Sequence, residues 1–97
     1  MVVKQGDIIK VEGIGVKLLV VSQNLINENE VCIVVPLSSK FRESATHIRN
    51  SFSKELLITE QLRYLDLTAR FYKHLGTLSV NEMVNVVDVV QGLFDYY

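Results

Sequence analysis

The sequence has one cysteine, one proline, two histidines and no apolar run long enough to cross a bilayer. Cys32 has no second cysteine to pair with, which removes both a disulfide framework and a cysteine metal site and leaves a buried small hydrophobe as its expected role. His47 and His74 stand at no ligand spacing from Cys32 or from a carboxylate pair on a helix, so neither a metal nor a cofactor is expected. The longest apolar runs, residues 18–21 and 31–35, fall far short of a membrane span. No basic head with an apolar signal segment opens the chain, and the expected location is the cytoplasm. A glycine-rich phosphate loop is missing too, because Gly13-Ile14-Gly15 is short and no helix follows it. Ser38 or Ser39, His47 and Asp66 supply the residue types of a hydrolase triad, but no nucleophile-elbow motif surrounds either serine.

Positive charge is missing from the end of the chain. All ten Lys and Arg fall between Lys4 and Lys73, and three of the eleven acids, Glu82, Asp88 and Asp95, lie beyond residue 77. The first 77 residues therefore carry ten cations against eight acids. A formal net charge of −1 is not the footprint of a dedicated nucleic-acid binder, yet one face can still be locally basic.

What is present is a globular composition, 48% hydrophobic and 22% charged, over 97 residues. That length supports one core and predicts a single domain over residues 1–97. Residues 7–12 alternate as a first strand, and the glycines at 13 and 15 allow a short hairpin return into a β-branched second strand over 16–22. Residues 23–30 have the composition of a solvated turn. A third strand over 31–35 closes at Pro36. Residues 37–50 are the least regular, a long loop or a loop around a short strand at 46–48.

The stretch 56–66 organises the rest. Its first half, 56–59, is an apolar strand, and its second half alternates so that Leu62 and Leu65 face a core while Glu60, Arg63 and Asp66 face outward. Asp66 is placed to cap a helical turn over 67–71, and a last strand at 72–75 stops at Gly76. Ser79-Val80-Asn81-Glu82 fits a capping box, predicting a helix over 79–97. Val80, Met83, Val84, Val87, Val90, Leu93, Phe94 and Tyr97 form its apolar stripe. Short strands followed by one amphipathic helix predict a mainly β fold, a small antiparallel barrel packed on a C-terminal helix.

Lys17 heads the second strand, Ser38 and Ser39 end the third, and Lys40, Arg42 and Arg49 surround them. Such a rim suits a phosphodiester: cations neutralise the phosphorane-like transition state, hydroxyls position a phosphate, and a carboxylate such as Glu60 takes a proton from a ribose hydroxyl. Ordinary solvated loop charges are the competing reading.

Several segments, in order, resemble the PemK/MazF family, the toxins of type II toxin-antitoxin pairs. These are Val3-Lys4-Gln5-Gly6-Asp7-Ile8 at the start, Gly15-Val16-Lys17-Leu18-Leu19-Val20-Val21-Ser22, and Val35-Pro36-Leu37-Ser38-Ser39. Thr46-His47-Ile48, Glu60-Gln61-Leu62-Arg63-Tyr64-Leu65-Asp66 and Leu75-Gly76-Thr77-Leu78 follow. The resemblance implies an SH3-like barrel with a C-terminal helix, a homodimer, and a metal-independent endoribonuclease that cuts single-stranded RNA through a cyclic phosphate and is held off by an antitoxin. It implies Lys17, Ser38 and Glu60 as catalytic residues. Ser39, Lys40, Arg42, His47, Arg49, Gln61 and Arg63 would be its RNA-binding residues. Lys17 replaces the family's arginine and Leu18 its proline, and a lysine lacks the planar fork that holds two phosphate oxygens. The family's long first loop is reduced to residues 13–15.

Those departures keep a second reading open, a non-catalytic barrel of the same family that binds nucleic acid or a protein partner. A gyrase-poisoning toxin of the CcdB kind is a third, with no counterpart to its inhibitory terminal residues at 92–97. Phe94, Tyr96 and Tyr97 are candidate contacts with a second copy, with packing of the last helix inside the core as the competing reading.

Overall fold

The computed structural model describes residues 2–94. Seven strands and two helices follow one another as β1 (Asp7–Val11), β2 (Leu18–Val20), α1 (Asn24–Asn27), β3 (Val31–Ser38), β4 (His47–Ile48), β5 (Leu56–Ile58), β6 (Arg63–Asp66), β7 (Tyr72–Thr77) and α2 (Val80–Gly92). All pairings are antiparallel. The sheet runs β4-β5-β3-β2-β1-β7, with β6 also on β3.

The expected closed barrel is not formed. Among the described residues no pairing joins β7 to β4 or β6, so the sheet is open. Its two faces are nevertheless both buried. One packs Ile8, Leu19, Val35, Leu37 and Leu57 under Met83 and Val86 of α2. The other gathers Ile9, Val11, Leu18, Val20, Cys32, Val34 and Leu65 with Ile14 and Leu67 from the connections. Ile14 and Leu67, from the connections, help close that face. Alternation along β2 explains why Leu18, Leu19 and Val20 are all buried: successive side chains enter opposite cores.

The central stretch is two strands, not one. Leu37 faces Leu57, and a continuous ladder would then put Glu60 opposite Val34; Arg63 stands there instead. The intervening residues 59–62 loop away from β3. Pro36 tolerates its place inside β3 for the same reason. Leu37 donates its N–H to Lys17 O (2.9 Å), so Leu37 faces β2 and Pro36 faces away, where the ladder passes from β5 to β6 and no partner asks for an N–H. β3 therefore runs on to Ser38 and does not stop at Pro36.

Other expectations are corrected similarly. Residues 23–30 contain the short helix α1, which exists around Asn27, a fully buried amide donating to Ser22 O (3.0 Å) beneath β3. Asp66 accepts from Thr68 N (3.0 Å) in a turn, and no helix follows. β7 continues through Gly76 to Thr77. The capping box of α2 is present: Ser79 Oγ accepts from Glu82 N, and Glu82 reaches back to Ser79 N. Its buried side is Met83, Val86, Val87 and Val90. Val80, Val84 and Phe94 from the expected stripe are exposed. Tyr96 and Tyr97, expected at the end of the helix and at a dimer contact, lie outside the described residues. No helix among the described residues is long and apolar enough to cross a membrane.

Candidate functional site

The expected site residues fall into three groups. The first surrounds Lys17. By register Lys17 lies beside Leu37, which faces Leu57, so its side chain shares their face of the sheet. Glu55, two residues before Leu57, lies on that face also, and Lys17 Nζ donates to Glu55 Oε1 at 3.0 Å. The pair is only partly exposed, at 40% and 31% of the side chains. Glu55 also lines a cleft of about 480 Å³ with Ser39, Phe41, Arg49, Asn50 and Lys54. Ser38 faces Leu56, on the other side of the strand, and its Oγ accepts from Lys40 N (3.1 Å). Ser39, just past the end of β3, is the serine that lines the cleft with Glu55. Arg49 donates from Nε to Glu43 Oε1 (2.7 Å) at the rim.

The second group centres on His47. Its Nε2 meets Glu60 Oε2 at 2.6 Å and its Nδ1 meets Arg42 O at 3.0 Å. Both neighbours are acceptors, and only the imidazolium satisfies both. The hydrogen bond to Glu60 accordingly raises the His47 pKa above its ordinary 6.5. Partial burial works against ionisation of Glu60, but hydrogen bonds from His47 and Thr46 outweigh it and lower the carboxyl below 4.5. The Phe41 ring lies 4.9 Å from the imidazole, between this pair and the cleft. Glu60 lies past the far end of β5 from Glu55, so the acid beside the candidate cation is not Glu60.

The third group is Gln61 and Arg63, which line a separate hollow of about 280 Å³ with Val16, Leu18 and Pro36. Lys40 and Arg42 are exposed and hold no ion pair among the described residues. No cluster of three His, Cys, Asp or Glu side chains fit for a metal ion occurs there either.

Glu55, Lys54 and Phe41 were not legible as site residues. The loop that carries Glu55 is tightly fastened. Asn50 Oδ1 accepts from Phe52 N and Ser53 N, and Asn50 Nδ2 donates to Glu55 O (2.7 Å). Ser51 N and Oγ both donate to Glu82 at the start of α2. The Phe52 ring packs over Gly76.

The chain thus folds as a short antiparallel sheet backed by a C-terminal helix, with Lys17 paired to a carboxylate of a polar cleft. The model of the PemK-like, MazF-like toxin of type II toxin-antitoxin systems matches residues 4–94, and the chain belongs to that family. Its fold is similar to a MazE-MazF crystal structure from Deinococcus radiodurans (Form-II), with a TM-score of 0.84 at 16% identity over 100% of this chain and 99% of that one. Form-I of the same complex gives 0.83 at 16% identity over 96% of both chains. An endoribonuclease in complex with its cognate antitoxin from Mycobacterial species gives 0.73 at 17% identity, over 98% and 99%. At such identities the likeness is one of fold. Comparison with curated protein sequences gives no match.

Proposed function

We propose that this chain is a toxin that cleaves single-stranded RNA without a metal, through a 2′,3′-cyclic phosphate, as a homodimer kept in check by a cognate antitoxin. The observation that carries this reading is Lys17, half-buried and paired with a carboxylate that lines a polar cleft, in a chain of the PemK-like, MazF-like family. An ammonium there offsets the charge that builds on phosphate oxygens as the ribose hydroxyl attacks. Ser39 and Arg49 in the cleft, with Ser38 at the end of β3 and Lys40 and Arg42 on the adjoining loop, position the phosphates. The His47–Glu60 hydrogen bond holds the imidazole in place beside them. Gln61 and Arg63 contact the strand from the neighbouring hollow.

The antitoxin reading is supported by the solved relatives, which are complexes with MazE or with a cognate antitoxin. Exposed Val80, Val84 and Phe94 give a second copy or an antitoxin an apolar surface to cover. Expression in a bacterial host provides the test. Growth arrest by the wild-type chain, relieved by Lys17→Ala at equal soluble yield, is the expected result; unimpaired growth with abundant folded protein contradicts it. The second reading, a binding module without chemistry, rests on the shortened first loop and on Lys17 in place of the family's arginine; RNA bound but left intact would favour it.

A further inference from the structure

The geometry points to Glu55 as the general base of the site, a role that rests on the ribonuclease reading above. Three observations single it out. It is the carboxylate 3.0 Å from Lys17 Nζ, whereas Glu60 is held by His47 beyond the other end of β5 and Glu43 is held by Arg49 at the exposed rim. It lines the cleft together with Ser39, Arg49 and Glu43, where a phosphate and its ribose would sit, and of the two carboxylates there it is the one that meets Lys17. Its backbone is fixed on both sides, by Asn50 Nδ2 on its carbonyl and by Ser53 Oγ, which accepts from its N–H at 3.2 Å. A solvent-exposed ion pair between mobile side chains needs none of this scaffolding.

The chemistry closes on these two groups. Glu55 takes the proton of the ribose 2′-hydroxyl, and the 2′-oxygen forms its bond to phosphorus. The bond from phosphorus to the 5′-oxygen breaks, and that oxygen leaves with a proton from the Lys17 ammonium. The products are a 2′,3′-cyclic phosphate and a 5′-hydroxyl. Glu55 is then a carboxylic acid and Lys17 an amine, at hydrogen-bonding distance. Since a carboxylic acid is a far stronger acid than an alkylammonium, the proton passes directly from one to the other and restores the starting pair. The ion pair of the free protein is thus the reset state of the cycle.

The test compares wild type, Glu55→Gln, Glu55→Ala and Glu60→Gln on a long unstructured RNA in EDTA, with the same sequence as 2′-O-methyl RNA for binding. Glu55→Gln should cut at least about 100-fold more slowly while binding the methylated RNA no more weakly than wild type, because Lys17 keeps its charge and loses its internal competitor. Formate should restore part of the rate to Glu55→Ala, which a merely structural carboxylate would not show. Glu60→Gln should lose less than Glu55→Gln. Cleavage by Glu55→Gln within threefold of wild type overturns the assignment of Glu55 and leaves the ribonuclease reading standing. Intact RNA with the wild-type protein overturns both.

Discussion

Gly76 and Phe52 form a close contact next to the loop that carries Glu55, and Gly76→Ala tests it. Gly76 lies in β7 opposite Ile8 and outside the left-handed region, so alanine suits its backbone. Space is what it lacks: a Cβ there meets Phe52 Cε1 at 2.7 Å and Cδ1 at 2.8 Å. Carbon atoms pack best at about 3.5–4.0 Å, so the ring must retreat by roughly 0.7 Å or more. It cannot do so freely, because Asn50 Oδ1 holds Phe52 N (3.0 Å) and Glu82 holds Ser51. Overpacking of this kind costs about 1–3 kcal/mol. Urea unfolding should show a lower midpoint at unchanged slope, and thermal melting a drop of about 4–8 °C per kcal/mol. A Phe52→Ala background removes the clash, so Gly76→Ala there should cost less than about 0.5 kcal/mol. An equal cost in both backgrounds would refute the reasoning, since the strain would then not lie in the ring.

The His47–Glu60 pair predicts a pH window for stability. His47, raised above 6.5, contributes fully below that pH and loses its contribution as pH rises through the folded value; Glu60, lowered below 4.5, contributes above 4.5 and loses it as pH falls through its folded value. The difference in urea midpoint between wild type and His47→Gln should therefore peak between pH 4.5 and 6.5 and decline on both sides. Ser79→Ala removes the side-chain acceptor from Glu82 N and should cost about 1 kcal/mol in unfolding experiments. Burial pushes the Cys32 thiol up to about 11, and the residue is fully enclosed. It should resist a thiol reagent in the native protein and react at once in denaturant.

Local chemistry made the capping box at Ser79 and Glu82, the strand beginning at Asp7 and the doubly buried β2 readable from the sequence, because each depends on residues a few positions apart. Features set by register were hidden. The alternation of 56–66 looks like one strand, and only the pairing with β3 shows that β5 and β6 share an edge with residues 59–62 looped out. The fold also hides which residues line the cleft: Ser39, just past the end of β3, does so with Glu55. Glu55 was overlooked because its partner lies 38 residues away. Exposure of Val80 and Val84 escaped notice because a helical period gives the width of an apolar stripe but not which edge the sheet covers. An open sheet was read as a barrel because short strands with tight connections serve both.

Incubation of the purified protein and of Lys17→Ala with a long unstructured RNA in EDTA, with mapping of the fragment ends, tests the central claim. The account predicts cuts at defined sites that carry cyclic phosphate and 5′-hydroxyl ends and disappear with Lys17→Ala. RNA left intact by the folded wild-type protein, or cut equally by the variant, would contradict it.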